Sequence, residues 1–150
     1  MRTVTDRGPG FSLSTRTEHA HIITTLCGEL DIASAPALRD QLLDLLCPAT
    51  SRLVLDLSAV SYADASGLAV LVGTGRRAGL LGGFLRLAAP APAVTRVLSL
   101  TGLHRQLEVF PTIQAAITSP PRGTRSALTV GSGVSRRPAP RPPSVDGWAG

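Results

Sequence analysis

Apolar residues along this chain switch repeatedly between two spacings. Phe11 to Thr17 alternates apolar with polar positions and His21 to Cys27 is apolar and β-branched, so both stretches predict strands of an initial hairpin. Ala35, Leu38, Leu42, Leu45 and Leu46 then recur at helical spacing, behind a Ser34 able to cap the helix and a Pro36 suited to its first turn. Cys47-Pro48 ends it. Arg52 to Leu57 is short and nearly continuously apolar, as in a strand covered on both faces. Ser58 to Ala65 reads as a turn, and Leu68, Leu71, Val72 and Gly75 share one stripe of a second helix closed by Gly79 and Gly82-Gly83. Phe84 to Leu87 predicts a strand; Val94, Val97, Leu98 and Thr101 predict a third helix reaching Gly102. Gln106 to Phe110 and Thr112 to Ile117 supply a last strand and helix. The order is ββαβαβαβα, an α/β domain on a mixed, mostly parallel β-sheet with helices packed against it.

The 150 residues, 43% of them hydrophobic, suit one ordinary domain with a real core and exclude a large multidomain enzyme. The expected boundaries are a flexible N-terminus over residues 1–10, the folded domain over 11–118 and a disordered Pro/Arg-rich tail over 119–150. Six of the chain's twelve prolines lie from Pro120 onward among scattered apolar residues, too few to offset the entropy of ordering. The net charge of +5 also belongs to the ends: residues 14–118 hold eight arginines and eight acids, while 119–150 hold five arginines and one aspartate. A compact basic face that would track phosphates is therefore not expected, which argues against direct nucleic-acid binding. The longest stretch without Asp, Glu, Lys or Arg runs 13 residues, from Val109 to Pro121, and contains three prolines, so no membrane insertion is expected. With no secretory h-region near the N-terminus, the expected location is the cytoplasm. Cys27 and Cys47 lack metal-ligand or disulfide-scaffold spacing and are expected to be reduced thiols. No cofactor is expected, because metal-ligand clusters and a dinucleotide fingerprint are both missing from the sequence.

In a parallel α/β sheet, loops leaving the carboxyl ends of strands share one edge, where ligands and partners dock. Two such loops stand out, Gly28-Glu29-Leu30-Asp31 and Tyr62-Ala63-Asp64-Ala65-Ser66-Gly67. They are expected on one rim, with Ser66 at the start of the second helix, where unpaired N–H groups and the helix dipole favour an anion. Together with Leu53-Val54-Leu55-Asp56-Leu57, Val60 to Leu68, and Val94 to Leu98 followed by Thr101-Gly102-Leu103, these segments resemble STAS domains over roughly residues 11–118, and among them the bacterial anti-sigma-factor antagonists.

The resemblance implies a non-enzymatic regulatory protein whose unphosphorylated form binds an anti-sigma factor that is also a serine kinase, thereby freeing the sigma factor. It implies that the serine before the glycine of the D-x-S-G motif, here Ser66, is the phosphorylation site, and that a PP2C-type phosphatase resets it. Asp31 matches the family's aspartate on the kinase-facing surface. Asp64 is expected either to present Ser66 or merely to cap its helix, and Gly67 would let a partner backbone approach. Phosphorylation would add about 1.5 to 2 negative charges beside Asp64. Ala65 replaces a serine common in the family, and Ala63 is smaller than the usual residue.

Blander readings compete. Ser66 or Asp64 would serve merely as a helix cap, Asp31 would fix the turn before Ser34, and Tyr62 would be packing. A serine hydrolase would combine Ser66, Asp64 and one of His19, His21 or His104, but its elbow needs GxSxG and this site reads D-A-S-G. A further alternative keeps the fold and places it as a STAS module in another regulatory or transporter complex.

Overall fold

The computed structural model describes residues 4–8 and 10–120. The expected tail lies outside the described residues from position 121 onward. The elements are β1 (Val4–Gly8), β2 (Phe11–Glu18), β3 (His21–Leu30), α1 (Ala35–Leu45), β4 (Arg52–Ala63), α2 (Ala65–Leu80), β5 (Phe84–Ala88), α3 (Pro92–Thr101), a 3-10 turn at Leu103–Arg105, β6 (Glu108–Phe110) and α4 (Ile113–Thr118). The strands form one sheet in sequence order, antiparallel from β1 to β3 and parallel from β3 to β6. From Phe11 onward this is the expected order and the expected mixed α/β sheet.

Alternation along the strands builds two cores. Leu53, Leu55 and Leu57 on β4, with Ile22, Leu26 and Leu30 on β3 and Leu85 and Leu87 on β5, face the helices and meet Leu38 and Leu42 of α1, Leu68 and Leu71 of α2, and Val94 and Leu98 of α3. Val54, Ile23 and Ala88 point the other way and are covered by Ala116 of α4. Leu53, Val54, Leu55 and Leu57 are all 0% exposed, so β4 is the covered central strand its composition predicts. At about 1.5–3 kcal/mol for each fully buried side chain, this strand is a principal source of stability.

Three expectations are corrected. Residues 1–10, read as a flexible N-terminus, contain β1, which extends the sheet through Val4↔Thr15 to Gly8↔Phe11. The turn expected from Ser58 is the second half of β4: β4 carries one extra residue opposite Thr25–Cys27 and another opposite Gly28–Glu29, and pairing resumes past each, bringing Gly28 to Val60 and Leu30 to Ala63. Ser34 precedes α1 but makes no side-chain cap bond to it; its hydroxyl turns backward into the preceding loop.

Candidate partner-binding site

The two loops singled out in the sequence meet at the carboxyl ends of β3 and β4. The Asp64 amide donates to the Leu30 carbonyl at 3.0 Å, tying the end of β4 to the end of β3. Asp64 is the N-cap of α2: its extended backbone (φ −127°, ψ −179°) aims the carboxylate at the first turn, where Oδ1 accepts from the Gly67 amide at 3.1 Å. Gly67 itself is buried, and a Cβ there would overlap the Leu30 carbonyl oxygen. The close approach Gly67 permits in this chain is to the Leu30 main chain at the end of β3.

The Asp31 loop is held as tightly. Asp31 Oδ1 accepts from the Ser34 amide, and the Asp31 amide donates to Ser34 Oγ, each at 2.9 Å. Ser34 Oγ shares its own proton between the Glu29 and Asp31 carbonyls at 3.1 Å, and the side chain is fully buried. Upstream, Gly28 has φ +104°, and a Cβ there would overlap the Gly10 carbonyl. The bland readings of Asp64 as a cap and Asp31 as a turn acid are therefore both observed, and both side chains remain partly exposed on the rim.

Ser66 falls in the first turn of α2, half-buried, and its hydroxyl makes no hydrogen bond among the described residues. It is neither the cap nor part of a packed network. Exposed apolar side chains lie on the same loops: Ile32, 73% exposed, follows Asp31 and lines a groove with Ser66, and Tyr62, 49% exposed, is next to last in β4. Tyr62, expected to be packing, lies instead at the surface. Apolar alternation could not reveal this, because the placement of Tyr62 depends on the extra residue β4 carries between Val60 and Tyr62.

The hydrolase constellation does not assemble. His21 begins β3, and its Nδ1 pairs with the His19 carbonyl at 2.7 Å in the hairpin. Ser66 is anchored at the other end of that ten-residue strand, about 30 Å away at the usual rise per residue. His104, between α3 and β6, lies at the amino-terminal edge of the parallel strands with Nδ1 3.0 Å from the Leu98 carbonyl. Among the described residues no group of three or more His, Cys, Asp or Glu side chains could hold a metal, and no helix is long and apolar enough to cross a membrane.

A mixed sheet with helices leaving the carboxyl ends of its parallel strands, and a capped serine loop beside a second acidic loop, defines a binding module. Comparison with known proteins agrees. The model of the STAS domain matches residues 12–116, and the chain belongs to the STAS domain family. It is 35% identical over 88 residues to the anti-sigma-B factor antagonist of Bacillus subtilis, covering 59% of this chain and 80% of that one. It is 29% identical over 96 residues to the anti-sigma-F factor antagonist RsfB of Mycobacterium tuberculosis, covering 64% and 78%. Among solved structures, that of an anti-sigma factor antagonist from Mycobacterium paratuberculosis superposes with a TM-score of 0.65 at 30% identity, covering 72% of this chain and 92% of that one.

Proposed function

We propose that this chain is an anti-sigma-factor antagonist whose unphosphorylated form binds an anti-sigma factor serine kinase and is released when that kinase phosphorylates Ser66. The observation that carries this reading is the Ser66 hydroxyl itself: half-buried rather than enclosed, free of internal hydrogen bonds among the described residues, and close to exposed Ile32 on a rim fixed by the Asp31 and Asp64 loops. Asp31 and Asp64 present the surface, and Gly67 holds α2 against β3. A PP2C-type phosphatase hydrolyses the phosphoserine and resets the switch, and such partners place the chain in the cytoplasm.

Transfer of the terminal phosphoryl group of ATP to Ser66 Oγ leaves a phosphate of about 1.5 to 2 negative charges at the first turn of α2. In the free protein, the helix N-terminus and solvent accommodate it. In a complex the same phosphate would be desolvated beside Asp64, and an uncompensated buried charge costs several kcal/mol. Since about 1.4 kcal/mol is tenfold in affinity, binding falls by roughly 100-fold or more without any refolding.

Mixing the chain with candidate anti-sigma kinases and ATP, then mapping phosphosites, should place the phosphate on Ser66. Against the kinase so identified, Ser66→Ala should bind persistently and Ser66→Asp weakly. Comparable affinities for the two variants would overturn the switch.

A further inference from the structure

The Ser66 rim opens into a groove between α1 and α2 of about 600 Å³. Its apolar lining includes Ile32 and Leu43 on the α1 side and Ala69, Val70 and Gly73 on the α2 side. Ser66 stands near one end and Arg77, eleven residues along α2, near the other, a span of about 16 Å at 1.5 Å per residue. That is room for roughly three turns of a partner helix. The only charged side chains lining it are Arg39 and Arg77; both are exposed, and neither pairs with a carboxylate among the described residues.

This charge pattern selects the occupant. The chain's own segment 119–150 carries five arginines against one aspartate and would be repelled. A second copy presenting the same groove would bring four guanidinium groups together. An apolar trough marked by two unpaired cations fits a foreign segment that is apolar on one face and carries carboxylates at its edges.

We propose that the groove seats an acidic amphipathic helix of the partner, its apolar stripe against Ala69 and Gly73 and its carboxylates meeting Arg39 and Arg77. Who supplies that helix rests on the function proposed above; the groove's preference for it does not. A phosphate on Ser66 sits at the mouth of the groove and repels the same carboxylates, so the switch reaches beyond its own loop.

The test uses the full chain, labelled with nitrogen-15, and two synthetic helical peptides with one shared apolar face, one flanked by glutamates and the other by arginines. The glutamate peptide should shift the amides of Ala35, Arg39, Ala69, Gly73 and Arg77 and bind at least tenfold more tightly than the arginine peptide. The double variant Arg39→Glu, Arg77→Glu should reverse that preference. Gly73→Leu should weaken binding at least tenfold with the melting temperature held or raised, because a Cβ at Gly73 meets nothing within 4 Å. Equal affinity for both peptides, shifts confined to other surfaces, or no shifts would overturn the proposal. So would movement of the groove amides on deleting residues 121–150 or on concentration-dependent dimerisation, which would identify the chain's own tail or a second copy as the occupant. Kinase assays on Ser66 are read separately, so either reading can fail without the other.

Discussion

A methyl group at position 67 would collide with main chain rather than with a side chain able to swing aside, since the overlapping atom is the Leu30 carbonyl oxygen. That carbonyl also accepts the Asp64 amide, so it cannot retreat without loosening the loop that presents Ser66. Gly67→Ala should therefore lower stability by about 1–3 kcal/mol, read as a shift in the urea midpoint at unchanged slope. An unaltered midpoint would show that the β3–α2 junction has slack. A second residue-scale prediction concerns Cys47, whose thiol is held below its ordinary range chiefly by the Thr50 hydroxyl, 2.9 Å from Sγ, with further help from the Thr50 and Ala49 main chain. A lowered pKa means more thiolate at a given pH and faster alkylation. Thr50→Val should therefore slow iodoacetamide modification of Cys47 near pH 7.5 and move its pH–rate curve to higher pH; an identical curve would remove the hydroxyl from the account.

At the scale of single elements, α2 depends on Asp64 for its first turn, and the cap and the proposed partner surface share one side chain. Asp64→Ala should cost about 1 kcal/mol, as loss of an N-cap does, whereas Asp64→Asn keeps an acceptor and should stay within a few tenths of wild type in urea titration. If the asparagine variant were as unstable as the alanine variant, the negative charge rather than the hydrogen bond would be holding the helix. Elements of this kind were largely legible in the sequence. The stripes Leu38/Leu42, Leu68/Leu71 and Val94/Leu98 are all buried as their spacing predicts, because helical periodicity is a local property. Gly102 closes α3 in the left-handed conformation for the same local reason. What escaped the sequence depends on distant partners: β1 pairs with β2, and β4 runs on past Ser58 by bulging twice where it pairs with β3. Ser34 follows the same rule, its hydroxyl drawn to Glu29 and Asp31 instead of to its own helix. The D-A-S-G serine was legible as a motif. The arginine-marked groove beside it was not, since only packing of α1 on α2 brings Arg39 and Arg77 to one surface.

For the molecule as a whole, the two faces of the sheet are unequally covered. Three helices close one face over the larger core, while α4, six residues long, covers Ile23, Val54 and Ala88 on the other. That second face also buries a charge. Arg86 is 0% exposed, with Nε 3.2 Å from Glu108 Oε1, NH1 2.6 Å from the Ala116 carbonyl, and its guanidinium 4.0 Å above the Phe84 ring. The Ala116 carbonyl comes from α4 itself, so the helix both covers apolar surface and satisfies the cation beneath it. A chain ending at Thr112 would expose Ile23, Val54 and Ala88 and deprive Arg86 of that acceptor. At about 1.5–3 kcal/mol for each large apolar side chain and about 1–3 kcal/mol for an unsatisfied buried polar group, the loss is several kcal/mol. Set against a typical net stability of about 5–15 kcal/mol, much of the margin disappears. The compact unit ends at Thr118, so a chain ending at Pro120 should melt cooperatively near the full-length temperature, whereas one ending at Thr112 should melt far lower or not cooperatively at all. Matching melting curves for the two truncations would mean that α4 is dispensable and that the Arg86 pair with Glu108 closes the second face unaided.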